Sequence, residues 1–157
     1  MKKILIVILI LFNSCGYQPI YIGKEENNLK FSRISFEGDL VLSKKITSRL
    51  SFEEIPSDKA LNKLIIKSKF NKIEASKNSK GHVTSYRILI EVNLIIKNLE
   101  NSKIEDKTFN KEFLYNVDDD KFKTAEYQRE IENNLINQIV QEARLYFNRK
   151  WSLNFLK

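Results

Sequence analysis

The stretch 84–97, TSYRILIEVNLIIK, constrains this chain more than any other part of it. Tyr86, Ile88, Ile90, Val92, Leu94 and Ile96 fall at every second position, with Arg87, Glu91, Asn93 and Lys97 between them. Successive side chains of a strand point to opposite faces, so this pattern demands a strand with one buried face and one wetter face. A sheet with one apolar face needs a second layer to cover it.

The remaining sequence supplies neighbours and cover. Residues 29–37 are rich in Phe and Ile and are stopped by Gly38, which reads as a strand. Asp39 suits a helix cap, and Leu42, Ile46 and Leu50 then recur every four residues, with Lys44, Lys45 and Arg49 elsewhere on that helix. Pro56 blocks its continuation. In 61–76, Leu64, Ile66 and Phe70 share one strand face and Lys67 and Lys69 the other. Residues 78–81, NSKG, are turn chemistry. A further strand carries Phe109, Lys111, Phe113 and Tyr115 on one face. Asp118, Asp119 and Asp120 suit a helix start, where they oppose the macrodipole. Tyr127, Ile131, Leu135, Ile139, Ala143 and Phe147 then form a stripe widened by Ile136 and Val140, with Arg144, Arg149 and Lys150 placed in the C-terminal turns. The order is β-α-β-β-β-α. It implies an α+β domain, 29–157, with two helices packed on one face of a small four-stranded mixed sheet.

The first fifteen residues differ from the rest. Lys2 and Lys3 precede nine apolar residues, 4–12. As a helix these span about 14 Å, against a hydrocarbon core of ~30 Å. A basic start, a short apolar run and small residues after it read as a secretory signal, 1–14. The one cysteine, Cys15, follows at once. A lone thiol would be exported to an oxidising compartment without a partner in the chain, and acylation explains it better. The stretch FNSCG resembles a bacterial lipobox, and that resemblance implies an N-acyl and S-diacylglycerol lipid on Cys15, with each buried CH₂ adding about 0.8 kcal/mol of anchoring. Residues 15–28 then form a lipid-anchored tether.

Composition narrows the chemistry. One cysteine excludes an intramolecular disulfide or a Cys-rich zinc site, and one histidine, His82, leaves no second imidazole for a metal. No nucleophile elbow and no Gly-rich phosphate cradle is present, so neither an enzyme nor a cofactor is expected. The acidic run at 118–120 lacks the spaced ligands of a calcium loop. The formal charge of +7 reads either as attraction to an acidic partner or as the composition of a Lys-, Ile- and Asn-rich sequence. Export makes nucleic acid a poor partner. Lys67, Lys69, Lys72, Lys77 and Lys80 lie along one strand and its turn. They read equally as a phosphate-binding run or as a solvated face that discourages edge aggregation.

In the lipobox-like FNSCG, Ser14 stands before the cysteine and Gly16 after it. The CGYQP that follows, TSYRILIEVN, and the span from FLYNVDDD through QREIENNLINQIVQEARLYF resemble the LptE (RlpB-like) family of lipopolysaccharide-assembly lipoproteins. The resemblance covers nearly the whole chain at the level of element order. It implies a periplasm-facing lipoprotein, lipid-anchored in the outer membrane, that plugs an LptD-type β-barrel, assists its assembly and helps insert lipopolysaccharide into the outer leaflet. It further implies lipopolysaccharide contacts near Lys77 and Lys80 and near Lys121 and Lys123. Another outer-membrane lipoprotein adaptor, or a lipid-binding carrier, is the competing reading.

Overall fold

The structure, a computed structural model, describes residues 29–56 and 59–154, with side chains placed up to residue 150. The signal at 1–14, the tether at 15–28 and Cys15 lie outside the described residues.

The alternating stretch forms β5 (Val83–Asn98), at the heart of the sheet. It pairs antiparallel with β4 (Asn62–Lys77) on one side and β6 (Ile104–Asn116) on the other. β2 (Arg33–Gly38) completes the sheet by pairing parallel with β4, giving the order β2-β4-β5-β6. The expected first strand is interrupted at Ser32, whose N–H and hydroxyl both donate to the Asn62 carbonyl. The piece before the break, β1 (Lys30–Phe31), instead pairs parallel with β3 (Glu53–Glu54) in a two-stranded sheet.

Two helices cover one face. Helix α1 (Leu40–Leu50) begins where Asp39 Oδ1 accepts from the Leu42 N–H at 2.9 Å, a side-chain cap on an orphan amide. It ends at Ser51, whose left-handed φ of 56° turns the chain out of the helix. Helix α2 (Lys121–Asn154) packs on β5, β6 and α1. Leu42, Ile46 and Leu50 of α1 and Ile131, Leu135, Ile136, Ile139, Val140, Ala143 and Phe147 of α2 are buried. They meet Leu64, Ile66, Ile88, Ile90, Val92, Leu94 and Ile96 of the sheet in one core. The architecture is thus the α+β arrangement that periodicity implies, with the small second sheet added.

The helix α2 runs past the expected end, so Arg144 does not sit in its last turn. Its guanidinium instead donates to the Arg49 carbonyl at the end of α1. Arg49 in turn reaches Asn137 Oδ1 (2.8 Å) and Asn133 Oδ1 (3.1 Å), so the two helices are laced together along their wet side. Among the described residues no helix is long and apolar enough to cross a membrane.

The sheet therefore has a covered face, an open face and two ends. At one end, called here the tip, are the β4–β5 turn and the start of α2. At the other, the base, the chain enters at Leu29 and α2 finishes.

Candidate functional site at the tip of the sheet

The tip is built by local chemistry. In the turn 78–82, Asn78 Oδ1 accepts from the N–H groups of Lys80 and His82, both at 3.0 Å. This is how an Asn side chain stands in for a backbone turn. Gly81 adopts φ +81°, with open space where a Cβ would stand. β4 bulges between Glu74 and Lys77 before it reaches the turn. There the Ser76 hydroxyl meets those of Thr84 (2.6 Å) and Ser85 (2.7 Å).

The start of α2 is pinned beside this turn. The Val117 N–H donates to the Thr84 carbonyl at 2.9 Å. Asp118 Oδ1 accepts from the Asp120 N–H, and Asp120 Oδ1 accepts from the N–H groups of Phe122 (2.8 Å) and Lys123 (3.4 Å). Asp120 thus caps the helix, and Asp118 fixes the turn that leads into it. Among the described residues no group of acids, His or Cys could hold a metal ion. Lys121 and Lys123 flank Phe122, which is 88% exposed.

The structure brings Lys77, Lys80, Lys121 and Lys123 to the same end of the molecule. It also brings their counter-charges. Lys77 Nζ lies 2.8 Å from Glu74 Oε2, and this bonded carboxylate raises the lysine above its ordinary pKa. With Asp118, Asp119 and Asp120 close by, the two segments 74–82 and 118–123 contain four lysines and four carboxylates. The tip is a mixed-charge surface with an exposed aromatic, not a uniform cationic patch.

The lysine run does not share one face. Lys67 and Lys69 are on the open face, where Lys67 pairs with Glu37 at 2.8 Å. Lys72 is on the helix side, because it has the same parity as Leu64 and Ile66. Its ammonium stands 4.1 Å from the centre of the Tyr86 ring and donates to Gln128 Oε1 at 2.6 Å. The Tyr115 hydroxyl donates to the same oxygen at 3.1 Å, and Gln128 Nε2 donates to Glu132 Oε1 at 2.7 Å. Burial pushes the Tyr115 phenol above its ordinary pKa, with the Tyr86 and Glu132 charges acting in the same direction. This chain locks the first turns of α2 onto the sheet just below the tip. Sequence reasoning missed Gln128 and Tyr115 in this role; the parity of Lys72 was the available signal.

Beside α2, Phe113, Tyr127, Ile131 and Leu135 floor an open groove of about 410 Å³, rimmed by Asn134 and Gln138 among others. Phe113 is 42% exposed there, although it shares a face with buried Phe109 and Tyr115.

No protein-family model and no curated protein matches the sequence. Solved structures do match the fold. Rare lipoprotein B from Shewanella oneidensis aligns with a TM-score of 0.50 at 13% identity, over 80% of this chain and 99% of its own. Lipoprotein B from Nitrosomonas europaea gives 0.54 at 11% identity, over 73% of this chain and 79% of its own. A candidate lipoprotein from Caulobacter crescentus gives 0.54 at 11% identity, over 78% and 92%. The likeness is one of fold. At such identities it carries over no residue of the site.

Proposed function

We propose that this chain is a periplasm-facing outer-membrane lipoprotein of the LptE type, anchored by a lipid on Cys15. It seats in the lumen of an LptD-type β-barrel, assists that barrel's assembly and helps insert lipopolysaccharide into the outer leaflet. The observation that carries the reading is the fold shared with rare lipoprotein B over 80% of this chain, beneath a leader that reads as a lipoprotein signal. The shape is consistent with it. β4 and β5 have 16 residues each, about 50 Å of strand, and make a long body with one uncovered sheet face.

At the tip, Lys80, Lys121 and Lys123 offer ammonium groups to lipid A phosphates, and Lys77 does so at the expense of its bond to Glu74. A lipid carrier would instead need an enclosed apolar chamber. The groove beside α2 is open and rimmed by amides, which suits a carrier poorly.

Purification of the tagged chain from detergent-solubilised outer membranes tests the reading. A large β-barrel is expected at one-to-one stoichiometry. Recovery of the chain alone, together with normal surface lipopolysaccharide after its depletion, refutes it. Mass spectrometry of the mature N-terminus should find an acylated Cys15. The double change Lys77→Glu and Lys80→Glu should weaken lipopolysaccharide binding while leaving the unfolding midpoint unchanged.

A further inference from the structure

The base of the sheet carries a feature that the tip does not. The register aligns Arg33 of β2 with Lys63 of β4, and Lys63 with Lys97 of β5. Three cations therefore stand side by side on adjacent strands of the open face, spaced by about 4.8 Å per strand. All three are exposed, and none belongs to any ion pair among the described residues. The nearby Glu54 carboxylate is engaged by the Ile34 N–H at 3.0 Å. Like charges directly opposite one another on a sheet destabilise it, so such a row is costly unless anions neutralise it.

Apolar side chains converge on the same end. Leu61 and Leu99 precede β4 and follow β5, and are joined by the Leu99 N–H donating to the Leu61 carbonyl at 2.8 Å. Ile104 continues the cation row onto β6, opposite Lys97. These three are 45%, 44% and 61% exposed. Leu99 and Ile104 flank the β5–β6 turn, and Leu61 joins them from 38 residues before Leu99, brought there by the β4–β5 pairing.

The path of the chain says what this end faces. Leu29, the first described residue, is held at the base by its carbonyl accepting from the Glu53 N–H. Cys15 lies fourteen residues earlier, a reach of at most about 50 Å if fully extended. Strand β4 alone separates base from tip by about 50 Å. Placing the tip on the bilayer that holds Cys15 would need every one of those residues stretched along the body. Placing the base there needs almost none of that reach.

We infer that the base is a membrane-contacting face: Arg33, Lys63 and Lys97 take phosphate oxygens of anionic phospholipids, while Leu61, Leu99 and Ile104 enter the headgroup layer. A cationic cluster beside a lipid anchor adds a second, electrostatic attachment, and apolar side chains at the interface add to it. The inference rests on the lipid-anchor part of the reading above. The base sits at the leaflet that holds the anchor, and the tip is the end of the body remote from that leaflet.

The test uses the acylated full chain with one added thiol, since Cys15 is its only cysteine. A fluorophore is placed by Leu99→Cys at the base, or by Ser79→Cys at the tip. The protein is reconstituted into phosphatidylethanolamine–phosphatidylglycerol vesicles containing a headgroup-region quencher. Quenching is expected at position 99 and not at 79. It should be lost in vesicles of phosphatidylcholine alone, and lost when Arg33→Gln, Lys63→Gln and Lys97→Gln are combined. A chain that stays on the vesicles with equal quenching at both positions, or stronger quenching at 79, overturns the inference and leaves the anchor intact. So does capture of a protein by a crosslinker at 99 with no lipid quenching there. A chain that leaves the vesicles and carries an unmodified Cys15 overturns the anchor reading, and the inference with it.

Discussion

Gly38 decides how β2 can lie against β4. Its φ is +83°, and a Cβ built on it would stand 2.1 Å from the Ser68 carbonyl oxygen. That oxygen is already fixed by the Asp39 N–H at 2.9 Å, so it has no room to retreat. Gly38→Ala combines left-handed strain with a backbone clash and should cost about 2–4 kcal/mol, read as a fall in urea midpoint. Ser68 sits in the next strand with its side chain on the covered face. Its buried hydroxyl donates to the Asp39 carbonyl at 2.7 Å, which leaves Ser43 to donate to Ser68 Oγ, also at 2.7 Å. Ser68→Ala should cost about 1–2 kcal/mol, because it leaves the Ser43 hydroxyl and the Asp39 carbonyl short of a partner. Lys67→Ala, one position away on the open face, removes only an exposed ion pair with Glu37 and should change stability by no more than about 0.5 kcal/mol. Equal effects from Ser68→Ala and Lys67→Ala would contradict the assigned strand parity.

Helix α2 shows what an element can and cannot announce about itself. Its 34 residues extend about 51 Å, and the buried stripe was legible because residues four apart share a face. Within its middle turns the contrast is clear between Ile139, fully buried, and Leu145, 63% exposed. Ile139→Ala should lower stability by about 2–5 kcal/mol through lost burial and a residual cavity. Leu145→Ala should stay within about 0.5 kcal/mol. Both are read from denaturant unfolding, and comparable losses would mean that the helix is rotated from the position described. Its far end was misjudged because the stripe gives rotation, not length. The role of Arg144 was missed because its acceptor, the Arg49 carbonyl, lies 95 residues away and belongs to another helix. The break at Ser32 was missed for a similar reason: the Asn62 carbonyl that holds it is 30 residues distant.

At the scale of the molecule, layer order was legible because the period-two and period-four patterns each define a single apolar face. Charge geometry was not, because it depends on register. The sequence points to the lysines at the tip, yet Glu74 and the 118–120 acids come to the same end, while Arg33, Lys63 and Lys97 meet only through two strand pairings. The titrating groups that folding perturbs fix a further whole-molecule property. Tyr115 is raised above its usual 10.0, mainly by burial. For Lys150, burial opposes the charge, but bonds to Glu105 and Tyr146 outweigh it and raise the group above 10.5. Lys77 is also raised, by Glu74, but it is exposed and contributes little. In each case the folded state holds its proton to higher pH than the unfolded chain does. Stability from these groups is therefore intact below pH 10 and lost as pH rises from their unfolded values through their folded ones. Urea midpoints should be level between pH 7 and about pH 9 as far as these groups act, and should fall from about pH 10 upward. Tyr115→Phe should cost about 1 kcal/mol at pH 7 by losing the bond to Gln128, and should flatten the alkaline fall. A midpoint that rises above pH 10, or a Phe variant whose alkaline fall is as steep as the parent's, would refute the assignment of that proton to Tyr115.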